Sequence, residues 1–177
     1  MPTPPTFVTG AVLTAAQMNT IGMFLVKSQT IGTGVSSVAV TGAFSADYDN
    51  YLITISGGAA STTSVLALQL GSKVTNYSYQ YLYGSWNNTA SALGSTTATS
   101  FSFAGSYDAN GISMNCTVIN PNLAKATRVI ADSTSSGTFS GNMTGYDGTT
   151  TQYTGFTLIP AAGTLTGGTI RVYGYRN

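Results

Sequence analysis

The sequence predicts an all-β fold, an antiparallel β-sandwich of the jelly-roll kind, preceded by a short extended N-terminal arm and one short helix. Three observations lead there. Short apolar runs alternate with polar residues at period 2 along most of the chain, which is the pattern of strands with one buried face. Turn-forming pairs such as Gly57-Gly58, Asn110-Gly111, Asp147-Gly148 and Gly167-Gly168 recur between those runs and suit tight connections that need positive φ. Beyond the first two dozen residues, helical spacing is absent, and many short strands with glycine-rich turns favour a sandwich or jelly roll.

Residues 1–23 read as a docking arm and residues 24–177 as the β-module. In MPTPPTFVTG, Pro2, Pro4 and Pro5 hold the backbone extended. AVLTAAQMNTIG follows, with Thr14 and Gln17 at capping-box spacing, Leu13 and Met18 as a hydrophobic staple, and Gly22 as a stop. A helix of about two turns is expected over residues 15–21, too short to stand alone in water. Phe7, Val8, Leu13, Met18 and Ile21 therefore need a surface to cover them.

Strands are expected near 24–31, 36–40, 50–56, 64–70, 77–83, 99–104, 112–119, 127–131, 138–146, 152–159 and 169–175. The stretch Ile31 to Gly58 contains two β-prone runs, with Tyr51, Ile53 and Ile55 on one face of the second, and is expected to form the organising hairpin. Ile112, Met114, Cys116 and Val118 share a strand face, so the single cysteine reads as a small buried hydrophobe. In NYSYQYLYGSW, Tyr77, Tyr79, Tyr81 and Tyr83 fall on every second residue, with Trp86 beyond Gly84. Their rings project from one face. Two readings stand side by side: a stripe buried in the core or a subunit interface, or an exposed ridge on which sugar rings stack.

Composition closes off several classes of chemistry. Charged residues make up 6% of the 177-residue chain, against roughly 25% for an average soluble domain. There is no His and no Glu, which removes the imidazole base of a serine triad or a Cys-His pair. The acids Asp47, Asp49, Asp108, Asp132 and Asp147 lie mostly in turn-like contexts, and Asp47, Asp49 and Asn50 lack the glycine and distal glutamate of a calcium loop. No cofactor, metal site or catalytic residue is expected. A net charge of +1, with six scattered basic residues, offers no field for nucleic acid. No apolar run approaches the roughly 20 residues that span a bilayer, and the N-terminus lacks the regions of a signal peptide.

Three segments carry a resemblance. TFVTGAVLTAAQMNTIG, through Phe7, Gly10, Leu13, Thr14, Ala15, Ala16, Met18 and Asn19, resembles the N-terminal attachment segment of accessory structural proteins of tailed bacteriophages. TGGTIRVYGYRN is similar to the terminal strand of those proteins, and QTIGTGVSSVAVTGAFSADYDNY to their first hairpin. Together they span about a third of the chain. The resemblance implies a non-enzymatic virion protein, a homotrimer, bound to a capsid or tail protein of the same particle. Capsid decoration proteins and head fibres fit it best. A tail fibre or minor tail protein that binds a host surface glycan is the alternative.

Overall fold

The computed structural model describes residues 9, 10, 12, 22–134 and 139–175. The helix expected over 15–21 lies outside them. Among the described residues the regular elements are strands, all paired antiparallel: β1 (Phe24–Thr30), β2 (Val38–Val40), β3 (Asn50–Ser56), β4 (Ala59–Ala60), β5 (Ser64–Leu70), β6 (Tyr77–Ser85), β7 (Ala90–Ala98), β8 (Phe101–Asp108), β9 (Gly111–Ile119), β10 (Thr127–Thr134), β11 (Phe139–Asp147), β12 (Phe156–Pro160), β13 (Leu165–Thr166) and β14 (Thr169–Tyr175).

Twelve of these strands form one curled sheet, a half-barrel. A long limb runs β1-β14-β3-β9-β10-β11-β6-β7, and a short limb runs β2-β12-β5-β8. The limbs meet where the hairpin β8–β9 pairs Ser106 with Ser113 and Asp108 with Gly111. On its other side β8 pairs with β5, from Tyr107 opposite Ser64 to Phe101 opposite Leu68, with a register shift around Phe103, whose φ is 64°. The short limb thereby curls over the long one. Phe101 of β8 meets Tyr77 of β6 edge to face at 4.7 Å, and the Tyr77 hydroxyl accepts from the backbone N–H of Leu70 in β5 at 2.8 Å. Gly145 of β11 allows this approach, because a Cβ there would stand 2.5 Å from the Phe101 ring.

The core fills the space inside the curl. Ile53, Leu66, Leu68, Leu70, Phe101, Cys116, Met143 and Val172 are buried within it. Burial alternates residue by residue along β5, β9 and β10, and each fully buried aliphatic side chain stabilises by about 1.5–3 kcal/mol. Cys116 is enclosed beside Ile112, Met114 and Val118 as expected, and burial pushes its thiol pKa up.

Three expectations need correction. The stretch Ile31 to Gly58 is not a hairpin: β2 pairs with β12, while β3 pairs with β14 and β9. The connection between them crosses from one limb to the other, burying Ala43 and Phe44 while their N–H groups donate to the Thr154 carbonyl. Strand β7 was not expected, because ASALGSTTA lacks the β-branched apolar alternation that marks a half-buried strand. Of the four turn pairs, Gly57-Gly58 and Gly167-Gly168 do take positive φ. Asn110-Gly111 does without it, since the Asp108 carboxylate accepts from both turn N–H groups, and Asp147-Gly148 does without it too.

Candidate functional site

The tyrosine stripe divides when folded. Tyr77 and Tyr81 are buried in this chain's own core, Tyr79 and Tyr83 are half-buried, and Trp86 is 58% exposed at the hairpin tip. Strand pleating puts the four rings on the inner face of β6, where Tyr81 stacks between Phe103 (4.4 Å) and Tyr83 (5.2 Å). Ser78, Gln80 and Leu82 take the outer face. The arm residues Phe7, Val8, Leu13, Met18 and Ile21 lie outside the described residues.

At the C-terminal end of β11 the chain buries a charge. Asp147 is fully enclosed and its Oδ1 accepts from Lys73 Nζ at 2.6 Å. Its Oδ2 accepts from the hydroxyls of Tyr153, at 2.5 Å, and Thr149, at 3.1 Å, while Oδ1 also takes the Thr149 N–H. Burial alone would raise the Asp147 pKa, but the bonds from Lys73, Tyr153 and Thr149 outweigh it and hold the carboxyl below its ordinary value. Burial, reinforced by Asp147, raises the Tyr153 pKa. The ammonium of Lys73 lies 5.1 Å from the centre of the Tyr77 ring, and Tyr77 donates to the Lys73 carbonyl. Every oxygen of Asp147 is occupied and none reaches solvent, so this cluster fastens the turn after β11 to the loop after β5 and has no surface to offer a substrate.

The outer face of the same strands is open. Register sets Arg128 of β10 beside Tyr146 of β11, and Tyr146 beside Ser78 of β6; in the next row Ile130, Thr144 and Gln80 stand in line. Between these rows and β7 lies a shallow groove of about 400 Å³, lined chiefly by Ser78, Gln80, Thr96, Arg128, Thr144 and Tyr146. The Arg128 guanidinium sits 5.6 Å from the centre of the half-exposed Tyr146 ring. Among the described residues Arg128 makes no ion pair. Hydroxyl, amide and guanidinium donors beside an aromatic ring suit a polar ligand that accepts hydrogen bonds. Sequence reading missed this site because its members come from four strands, and only register brings them together. The one signal was the polar face opposite the tyrosines.

Against family models, curated proteins and solved structures, the chain shows no significant match.

Proposed function

We propose that this chain is a non-enzymatic structural protein of a tailed-bacteriophage virion. It is displayed on the particle surface as a capsid decoration or head fibre, anchored to capsid or tail protein through residues 1–23 and joined to copies of itself. The curled sheet is read as a β-sandwich of the jelly-roll kind, its short limb covering its long one. One observation supports the reading above others. The first strand after the arm, β1, pairs with β14 from Phe24 opposite Gly174 to Thr30 opposite Thr169. The strand that follows the arm therefore lies beside the C-terminal strand at one end of the sheet, and β7 and the groove lie toward the other. Attachment and display are separated along a single sheet. Deleting residues 1–23 tests this. The remaining module is expected to keep its β-type circular dichroism and to be missing from purified particles; normal incorporation of the deletion would overturn the proposal.

The groove favours a second reading, a tail-fibre or minor tail protein that recognises a host surface glycan. Here Arg128→Ala is expected to abolish binding to host cells or a glycan array while the fold is retained. Unchanged binding would remove this reading.

A further inference from the structure

Among the described residues the curled sheet has three edge strands, and two of them are protected. β2 has only three residues. β1 carries Lys27 and a bulge between Leu25 and Lys27. Bulges, charges and shortness are the devices by which proteins keep sheet edges from pairing with other chains. The two edges are also brought together, since the Gln29 side chain of β1 donates to the Ala39 carbonyl of β2 at 2.9 Å.

β7 differs in length and in charge, and its register shift is confined to its far end. It is nine residues long, its residues are exposed or half-buried, and among the described residues it pairs on one side only, with β6. No residue between Val74 and Tyr107 is charged and none is proline. The hairpin is closed by Ser85 N–H donating to the Thr89 carbonyl, with Asn88 in the left-handed region at φ 68°. From that bonded pair the antiparallel ladder alternates. Ser91, Leu93 and Ser95 direct their backbone groups to Tyr83, Tyr81 and Tyr79 of β6. Ala90, Ala92 and Gly94 direct theirs outward, along the free edge. None of these three has a side chain larger than a methyl group, so they leave room for another backbone to approach. The only irregularity in the β6–β7 ladder lies between Tyr77 and Tyr79, opposite the far end of β7.

We propose that β7 pairs antiparallel with β7 of a second copy of this chain about a two-fold axis, continuing the sheet from one copy into the next. The occupant must be an extended strand, because the edge offers unpaired main-chain donors and acceptors. It must also be neutral, because the hairpin has no charge with which to meet one. A second β7 satisfies both conditions, and two-fold dimers are the commonest closed homo-oligomers. This rests on the self-association in the proposed function, though not on attachment to a particle, and it replaces the trimer that the resemblance implies. Pairing also covers Leu93, 45% exposed in one chain.

The test is sedimentation velocity on the purified full chain at micromolar concentrations, with Ala92→Pro and Ala92→Lys. The Ala92 N–H points away from β6, so proline there removes a donor to the partner while the β6 ladder stays whole. Lysine keeps the donor and sets two like charges close together across the axis. The native chain is expected to sediment as a dimer, and both variants are expected to show about a tenfold or larger rise in the dissociation constant, with circular dichroism unchanged. A monomeric native chain, a trimer, or a dimer that survives in both variants would overturn the proposal. Particle incorporation of the native chain is scored separately, so loss of one reading is not mistaken for loss of the other.

Discussion

Two regions of the long limb face each other across β6 and treat polar groups in opposite ways. On the side of β11, a carboxylate is withdrawn from water altogether and every bond it can accept is filled, by Lys73, Tyr153 and Thr149. On the side of β7, the strand has no charge and leaves a row of main-chain groups facing outward. The first arrangement is complete within one chain; the second is complete only when another strand arrives. A chain with so few charges has little else with which to keep an edge apart from its neighbours. The difference therefore teaches that low charge leaves association under the control of edge geometry.

The largest expected effect lies on the closed side. Asp147→Ala leaves the half-buried Lys73 without its counter-charge and the Tyr153 hydroxyl without its acceptor, and loss of one partner of a buried pair costs about 3–5 kcal/mol. Denaturant unfolding should show it, and a loss well under that range would mean that Lys73 escapes to solvent. Gly145→Ala comes next. Its new methyl meets the Phe101 ring, and overpacking of this kind costs about 1–3 kcal/mol, measured the same way. A variant as stable as the native chain would show that the limbs are more loosely packed than the ring contacts indicate.

Acid sharpens the comparison further. The folded Asp147 carboxyl is held below its unfolded value of about 3.9. Its contribution to stability is therefore complete above that pH and is lost as pH falls through the folded pKa. Stability measured from neutral pH downward should decline in that acidic window, and Asp147→Asn should flatten the decline. An identical acid profile in the variant would assign the effect to other carboxylates. The smallest effect belongs to the open side: Leu82→Ser, on the exposed face of β6, should change stability by no more than about 0.5 kcal/mol.

Much of the fold could be read before folding because burial follows period 2. The limits of β3, β5 and β14 match the expected runs residue for residue, and the face of Cys116 was legible from its neighbours. Partner choice was not legible. Val38 and Ile53 lie in neighbouring runs, yet their strands join different limbs, since pairing depends on the crossing of Ala43 and Phe44 through the core. β7 was hidden for a related reason. A strand whose residues are exposed or half-buried has no apolar face to impose a pattern, so the sequence marks it only by its lack of charge. The tyrosines announced themselves as a stripe, but their division into buried Tyr77 and Tyr81 and half-buried Tyr79 and Tyr83 depends on rings from other strands, Phe101 against Tyr77, Phe103 against Tyr79 and Tyr81, and Phe139 against Tyr83. The Lys73–Asp147 pair joins residues far apart in sequence, and nothing local to either announces it.

Backbone amide exchange along β7, followed by NMR at rising protein concentration, tests the central claim most directly. The outward N–H groups of Ala90, Ala92 and Gly94 are predicted to gain protection as concentration rises, while those of Ser91 and Leu93, already bonded to β6, stay protected throughout. Exchange of the outward amides at the rate of free peptide at every concentration would contradict it.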